Sequence, residues 1–289
     1  MIGLKRGTVA LYPHSEEWDR EAHQTANRLW RILGSDAVDI QHVGSTAIPT
    51  IMAKPIIDMA VAARSFEDVL RHEPELRANG FYYRSSSIPG QRLFASGSYY
   101  DGTGEEQTHF IHVVLTDSME WRNYINFRDY LRANPAVAKD YEALKRRLAA
   151  ECPVDEGREH YLAGKQDFIT YTLRKALVYS FMRKQVKIKI DRPIGYVHQK
   201  ENYSLTYPVN YGYIPGVIGG DGEELDVYLL GVDEPLEEAE VTVIGIVHRK
   251  NDVEDKLIAA PHGVFFSRAA AEKAVHFQEQ YYDSVVEMG

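Results

Sequence analysis

Four carboxylates crowd into the six residues DGEELD (221–226), behind a Gly-Gly turn and ahead of the apolar run VYLLG. Carboxylates packed this closely repel one another unless protons or a cation compensate them. Hard divalent cations such as Mg²⁺ take oxygen ligands, commonly one or two carboxylates with retained waters and a substrate phosphate. Asp221 and Asp226 bracket a turn that Gly219, Gly220 and Gly222 make permissive, so both are candidate metal ligands. The competing reading is an acidic hairpin loop in solvent. A second run, NDVEDK, sets Asp252, Glu254 and Asp255 beside Lys256, again between two apolar segments. Tyr207 and Tyr211 offer hydroxyls to phosphate oxygens, and Lys187 and Lys189 share one face of a strand because they lie two apart. Metal ligands together with phosphate donors are the ingredients of phosphoryl transfer to water.

A second set of residues lies in HVGSTAIPTIMAKPIIDMAV. A Gly44-Ser45 turn after a strand presents backbone N–H groups and a hydroxyl that can hold a phosphate. Asp58 sits inside an apolar strand, where a carboxylate is costly unless it binds a metal or accepts hydrogen bonds. The bland alternative is an Asp58 satisfied by neighbouring N–H groups. His109 and His112, three apart in THFIHVVLT, must point to opposite faces of a regular strand, and either can be a core residue.

Two architectures have to position these groups. The first opens with a helix from Ser15 to Leu33, with Trp18, Ala22, Ala26, Leu29, Trp30 and Leu33 at helical spacing. Strands follow at VDIQHV and PIIDMAVAA, the second apolar enough to be covered on both faces. Ser65 and Asp68 open a helix running to about Ala78. β-like runs come next at FYYR, RLFASGSYY and THFIHVVLT. Helices follow at Met119–Ala133, Pro135–Ala150 and from Asp155 to about Met182, and Lys145-Arg146-Arg147 reads as a solvated face. From Lys184 the texture changes to short strands punctuated by Gly and Pro, with one late helix from Ser267 to Tyr282, which suggests a small β-barrel. The fold class is therefore α+β: an α/β domain over 1–183, then a small barrel domain over 184–289.

Composition narrows the function. The 289 residues are 44% hydrophobic and 26% charged, as in a globular domain, and the net charge of −9 argues against a broad basic face for nucleic acid. The single Cys152 excludes an intramolecular disulfide framework and fits a reducing, cytoplasmic setting. No run reaches the ~18 apolar residues of a membrane span, and the start MIGLKRGTVALYPH lacks the apolar core of a signal peptide. Oligomeric state is not written in the sequence, and a homo-oligomer is compatible with it.

YPVNYGYIPG, DGEELDVYLLG and EDKLIAAPH together resemble the soluble family I inorganic pyrophosphatases, from about Val186 to Tyr282. The resemblance implies an OB-like barrel that binds several Mg²⁺ ions and hydrolyses pyrophosphate. It carries metal-ligand roles to Asp221 and Asp226, active-site tyrosines to Tyr207 and Tyr211, and phosphate contacts to Lys187, Lys256 and Tyr281. Glu223 stands where that family has the Asp that helps activate water, and Lys189 stands where it has a Glu. The family separates its next Asp from the lysine by one residue, so either Glu254 or Asp255 takes that ligand role here.

HVGST, AKPIIDMAV, THFIHVV, FRDYLRANP and AGKQDFI, between Val9 and Ala176, resemble the GrpB-like branch of the nucleotidyltransferase fold. The broad superfamily uses Gly-Ser for a triphosphate, which the resemblance places at Gly44 and Ser45, and an Asp-x-Asp pair for two metals. Here Asp58 is followed by Ala60, and His112 stands on the strand where a further acid would be sought. The expectation is a Mg²⁺-dependent phosphate-chemistry enzyme with Glu223 and Asp58 as catalytic residues. Pyrophosphate is its substrate, a nucleoside triphosphate and an unknown acceptor are its first-domain partners, and hydrolysis pulls the transfer forward. The alternatives are a phosphohydrolase whose first domain only binds a ligand, and a catalytically silent scaffold.

Overall fold

A computed structural model describes residues 1–84, 88–152, 157–200 and 203–289. The chain divides into two compact units, Met1–Leu173 and Arg174–Gly289. Among the described residues no helix is long and apolar enough to cross a membrane.

The first unit opens with α1 (Glu16–Leu33), capped by Ser15, whose Oγ accepts from the Glu17 N–H at 3.3 Å. Trp18, Ala22, Thr25, Leu29, Ile32 and Leu33 form its buried face, while Trp30, expected inside, is 39% exposed. Neighbouring helical residues lie about 100° apart, so a stripe centred on Leu29 and Leu33 turns Trp30 outward. Next come β1 (Ala37–Val43), β2 (Ile57–Ala63), α2 (Phe66–Leu70) and α3 (Glu73–Ala78). The expected single helix from Ser65 is thus two. Its cap forms, Ser65 Oγ accepting from Asp68 N–H at 3.1 Å, but Pro74 has no N–H with which to continue the ladder of α2. Then β3 (Tyr82–Arg84), β4 (Gln91–Ser96) and β5 (His109–Leu115) complete a five-stranded sheet. RLFASGSYY is not one strand: Gly97, at φ +123°, turns the chain into a short helix, Ser98–Asp101.

The sheet order is β1-β2-β5-β4-β3, with only β2 and β5 parallel. Alternation sends Met59, Val61, Ile111 and Val113 into the core beneath α1. The same alternation turns Asp58, Ala60, Phe110 and His112 to the other face. That face is flanked by α4 (Met119–Ala133), α5 (Pro135–Glu151), α6 (Arg158–Ala163) and α7 (Gln166–Tyr179), with Ile48, Ile51, Leu131, Ala138 and Tyr141 as a second core. The long final helix is broken at Gly164-Lys165, and its expected start at Asp155 lies outside the described residues. The division between units falls inside α7. Lys145 is not on a solvated face. It is buried, donates to the Met52 carbonyl at 2.5 Å and lies 4.7 Å from the centroid of the Tyr141 ring. Burial, then the nearby Lys165 charge, holds its ammonium down to about 7.

The second unit is built from β6 (Gln185–Arg192), β7 (Asn210–Ile218), β8 (Glu224–Leu229), β9 (Glu238–Arg249) and β10 (Lys256–Ala260). Their order is β10-β8-β7-β6-β9, and β9 also pairs with β10, which closes a five-stranded barrel. Apolar residues such as Ile188, Leu225, Val227, Val243 and Leu257 fill the interior. Outward residues Tyr211, Tyr228 and Ile258 pack with Ala271 and Val275 of α8 (Arg268–Glu279), as the sequence periodicity of that helix requires. A last strand, β11 (Ser284–Met288), was not legible in the sequence; it pairs with the far end of β9.

Candidate functional site

The chemistry of the barrel lies on its outer face. Tyr213 pairs with Asp226 on one side and Lys189 on the other, and Tyr211 pairs with Tyr228 and Arg192, so these rows face the same way. The parallel β8–β10 pair brings Lys256 beside Asp226. Lys256 Nζ donates to Asp226 Oδ2, and to Glu254 Oε2 at 2.6 Å; Lys256 and Glu254 are each only 4% exposed. Burial works against the Lys256 charge, but Asp226 and Glu254 override it and raise its pKa. Burial pushes the Glu254 carboxyl up to about 7 against the pull of Lys256, and the charges of Asp226 and Asp221 push the same way.

The second oxygen of Glu254, Oε1, is buried without a hydrogen-bond partner among the described residues, and it lies where a side chain at Gly219 would sit. An acidic oxygen with no donor is the kind of group that a cation satisfies. Tyr207 and Tyr211 stack edge to face at 5.4 Å beside this cluster. Arg192 donates to the Tyr207 hydroxyl at 2.7 Å and lies 5.0 Å from the centroid of the Tyr211 ring. Burial, then the Asp226 charge, raises the Tyr211 hydroxyl well above its usual range, so it remains a donor.

The remaining candidates of the barrel are dispersed. Asp221 and Glu223 are exposed, with the Glu223 N–H donating to Asp221 Oδ1 at 2.9 Å. Glu224 accepts from the Gly216 N–H at 2.6 Å. Lys187 is exposed and bonds Glu238 at 2.8 Å, and Tyr281 is 59% exposed just past α8. Asp252 accepts from Arg249 Nη1 at 2.9 Å. Asp255 is saturated by Lys175 at 2.7 Å, His248 at 2.7 Å and the Arg249 N–H at 3.1 Å. Of the two acids offered by EDK, Glu254 therefore joins Asp226 and Lys256, and Asp255 does not. Among the described residues no group of three or more His, Cys, Asp or Glu side chains is gathered as a metal cage.

The first unit holds a cavity of about 390 Å³ on the polar face of its sheet. Asp58 stands at its wall, with His112 Nε2 3.4 Å from Asp58 Oδ1 and His112 Nδ1 3.0 Å from the Tyr124 hydroxyl. Tyr124 in turn donates to Gln91 Oε1 at 2.8 Å. Gly44, at φ +70°, lets the turn approach Asp58: a Cβ there would lie 2.5 Å from Asp58 Oδ2. Ser45 lines the cavity and hydrogen-bonds Tyr141, which burial raises to about 12. His109 points the other way, into the core, 3.2 Å from Thr25 Oγ1; burial lowers its pKa to about 4.

Residues 8–175 match the GrpB protein family model, more than half of the chain. The chain belongs to the GrpB family. Over 177 residues it is 41% identical to the glutamate-rich protein GrpB of Alkalihalophilus pseudofirmus, covering 61% of this chain and 99% of that protein. The UPF0157 protein YqkA of Bacillus subtilis is 35% identical over 58% of this chain, which spans 49% of that relative. The crystal structure of conserved protein GrpB from Enterococcus faecalis superposes with a TM-score of 0.52 at 30% identity, over 58% of this chain and 96% of that one. Residues 178–284 match the inorganic pyrophosphatase family model. The chain thus joins a GrpB domain to a pyrophosphatase-like barrel.

Sequence reasoning missed Arg192. Strict alternation from Lys187 and Lys189 points it inward, but a bulge between Tyr211 and Gly212 restores it to the outer face. It also missed Lys54 and Lys165, although both stand in the GrpB-like segments AKPIIDMAV and AGKQDFI, and it missed Arg158. All three line the cavity around Asp58. A cation four residues ahead of a lone strand Asp was the available signal.

Proposed function

We propose that this chain is a cytoplasmic, Mg²⁺-dependent phosphate-chemistry enzyme whose barrel hydrolyses pyrophosphate. The observation that carries the reading is the cluster of half-buried Asp226 with buried Lys256 and Glu254, whose second Glu254 oxygen has no partner among the described residues, beside Tyr207, Tyr211 and Arg192. Mg²⁺ fits this donor set: Asp226 and Glu254 would hold it, with Asp221 able to join from the flexible-backbone Gly-rich turn. When bound, the ion supplies charge neutralisation for phosphate oxygens and acidifies a ligand water. Arg192, Lys256 and the two tyrosines bind and orient the phosphates, and Glu223, exposed at the rim of the loop, would accept a proton there.

In the first unit, Ser45 and the cavity walled by Asp58 bind a nucleoside triphosphate, and transfer of its nucleotidyl group to an acceptor releases the pyrophosphate that the barrel consumes. One observation favours a narrower second reading, in which this unit binds without transferring. Ala60, which shares a face with Asp58, is fully buried, so β2 offers no second carboxylate for a two-metal site. The test is phosphate release from pyrophosphate by the full chain, with Mg²⁺ or with EDTA. Mg²⁺-dependent release that Asp226→Asn abolishes supports the reading. A parent protein that releases no phosphate from pyrophosphate with Mg²⁺ present sinks it.

A further inference from the structure

The cavity of the GrpB domain is charged in an unusual way. Lys54 and Lys165 flank the same ring, with their Nζ atoms 5.1 Å and 4.6 Å from the Tyr161 centroid. Arg158 lies over Phe110 and donates to the amide oxygen of Gln107 at 3.1 Å. Among the described residues none of these three cations forms an ion pair with a carboxylate. Among the described residues Asp58 is the one acid lining the same space, and Arg84 is a fourth lining cation. Cations gathered in a half-buried pocket repel one another and lose hydration, a cost that an anionic ligand removes. The burden is visible on both lysines: burial, together with the nearby Arg158 charge, holds Lys54 and Lys165 down to about 8.

A divalent ion would meet one carboxylate and four cations here, Arg84 being the fourth, the reverse of the oxygen-rich set such ions need. A phosphate dianion meets the opposite: three donors of positive charge, a Ser45 hydroxyl and an apolar wall of Ile56 and Phe110 for an organic body. The volume is that of a small-molecule site.

We propose that this cavity binds the phosphate of a small organic phosphate directly through Lys54, Arg158 and Lys165, without a divalent cation. This deepens the nucleotide reading of the first unit and is independent of hydrolysis by the barrel. Asp58 in this arrangement limits the net positive charge of the pocket rather than carrying a metal.

The test is calorimetric titration of the full chain with inorganic phosphate, AMP and ATP, each in EDTA and in excess Mg²⁺. Binding in EDTA that Lys165→Gln weakens by about tenfold or more, the loss of one charge-assisted contact, is the expected result. Lys54→Arg keeps the charge and should bind within a few-fold of the parent, which separates charge from packing. Asp58→Asn, scored with inorganic phosphate, should tighten binding, since it removes the negative charge of the described lining; a metal-bridged site would weaken instead. Circular dichroism melts of each variant identify any that has unfolded. Binding seen only with Mg²⁺ keeps the nucleotide reading and overturns the metal-free clamp. No binding of any of the three probes in either condition overturns both.

Discussion

The outer face of the barrel and the cavity of the GrpB domain both concentrate charge, but they balance it differently. On the barrel the buried ions are paired, one oxygen of Glu254 apart: Lys256 lies between Asp226 and Glu254, Arg249 is held by Glu279 at 2.6 Å, and Asp255 by Lys175 and His248. In the cavity Lys54, Arg84, Arg158 and Lys165 gather with, among the described residues, Asp58 alone to offset them. A neutralised cluster is stable without ligand and must exchange partners to act, whereas an unbalanced one gains from any anion of the right size. The two halves of this chain are therefore expected to answer differently to the same substitution of charge.

The largest effect is expected at Asp226. Asp226→Asn should lower pyrophosphate hydrolysis by roughly 10²–10³-fold, the range for losing one preorganised electrostatic group. Glu224→Gln, which keeps an acceptor for the Gly216 N–H, should stay near the parent in the same assay. Comparable rates for both variants would erase the distinction between the outer face and the loop.

Asp255 tests the paired side of the comparison through stability. Its carboxylate holds Lys175, His248 and a backbone N–H, so Asp255→Asn should cost about 3 kcal/mol in urea unfolding, as breaking a buried ion pair does. If Asp255→Asn left the unfolding midpoint in place and removed hydrolysis instead, Asp255 and not Glu254 would be the ligand.

Arg192→Gln removes the guanidinium over Tyr207 and Tyr211, and a fall in kcat/KM for pyrophosphate of about tenfold is expected for one lost charged hydrogen bond. An unchanged kcat/KM would make Arg192 a packing residue.

A smaller and graded effect is expected with pH in the cavity. Lys54 and Lys165 have folded pKa values of about 8, below their ordinary 10.5. Phosphate binding needs them protonated, so affinity should decline as pH rises through about 8. Folding stability of the ligand-free protein runs the other way: the unfolded chain holds more protons between about 8 and 10.5, so stability rises with pH across that window. The groups that face these lysines are Arg158, Asp58, Cys152 and Lys145, and Lys145 titrates earlier, at about 7. Affinity flat from pH 7 to 10, measured with inorganic phosphate, would show that the lysines do not contact the anion. The smallest effect is expected at Lys187, whose exposed pair with Glu238 contributes little; Lys187→Gln should leave the melting temperature unchanged.

Much of this was legible in order along the chain. The Ser65 cap, the helix beginning at Ser15, the apolar strand around Asp58 and the strand that puts Lys187 and Lys189 on one face are local patterns, and each forms as read. Period and capping depend on neighbours within a few residues, so the sequence carries them openly. Tyr207, Tyr211, Asp226 and Lys256, each singled out by its motif, do lie close together, because strand register in a closed barrel leaves the rows of the last three few alternatives.

What sequence order could not decide was which of several chemically equal residues meets a partner from far along the chain. Glu254 and Asp255 are adjacent acids, and only the turn of β10 sends one toward Asp226 and the other toward Lys175 and His248. Arg192 reaches the tyrosines because of a bulge set by pairing with β7, and Lys145 lies buried because the Met52 carbonyl waits beneath it. Lys54 and Lys165 are more than a hundred residues apart and share one ring only after the sheet and α6 have packed. Local pattern fixes which elements form, since it acts through bonded geometry and nearby hydrogen bonds. The charge balance of a site is a sum over groups that only the tertiary fold brings within reach of one another.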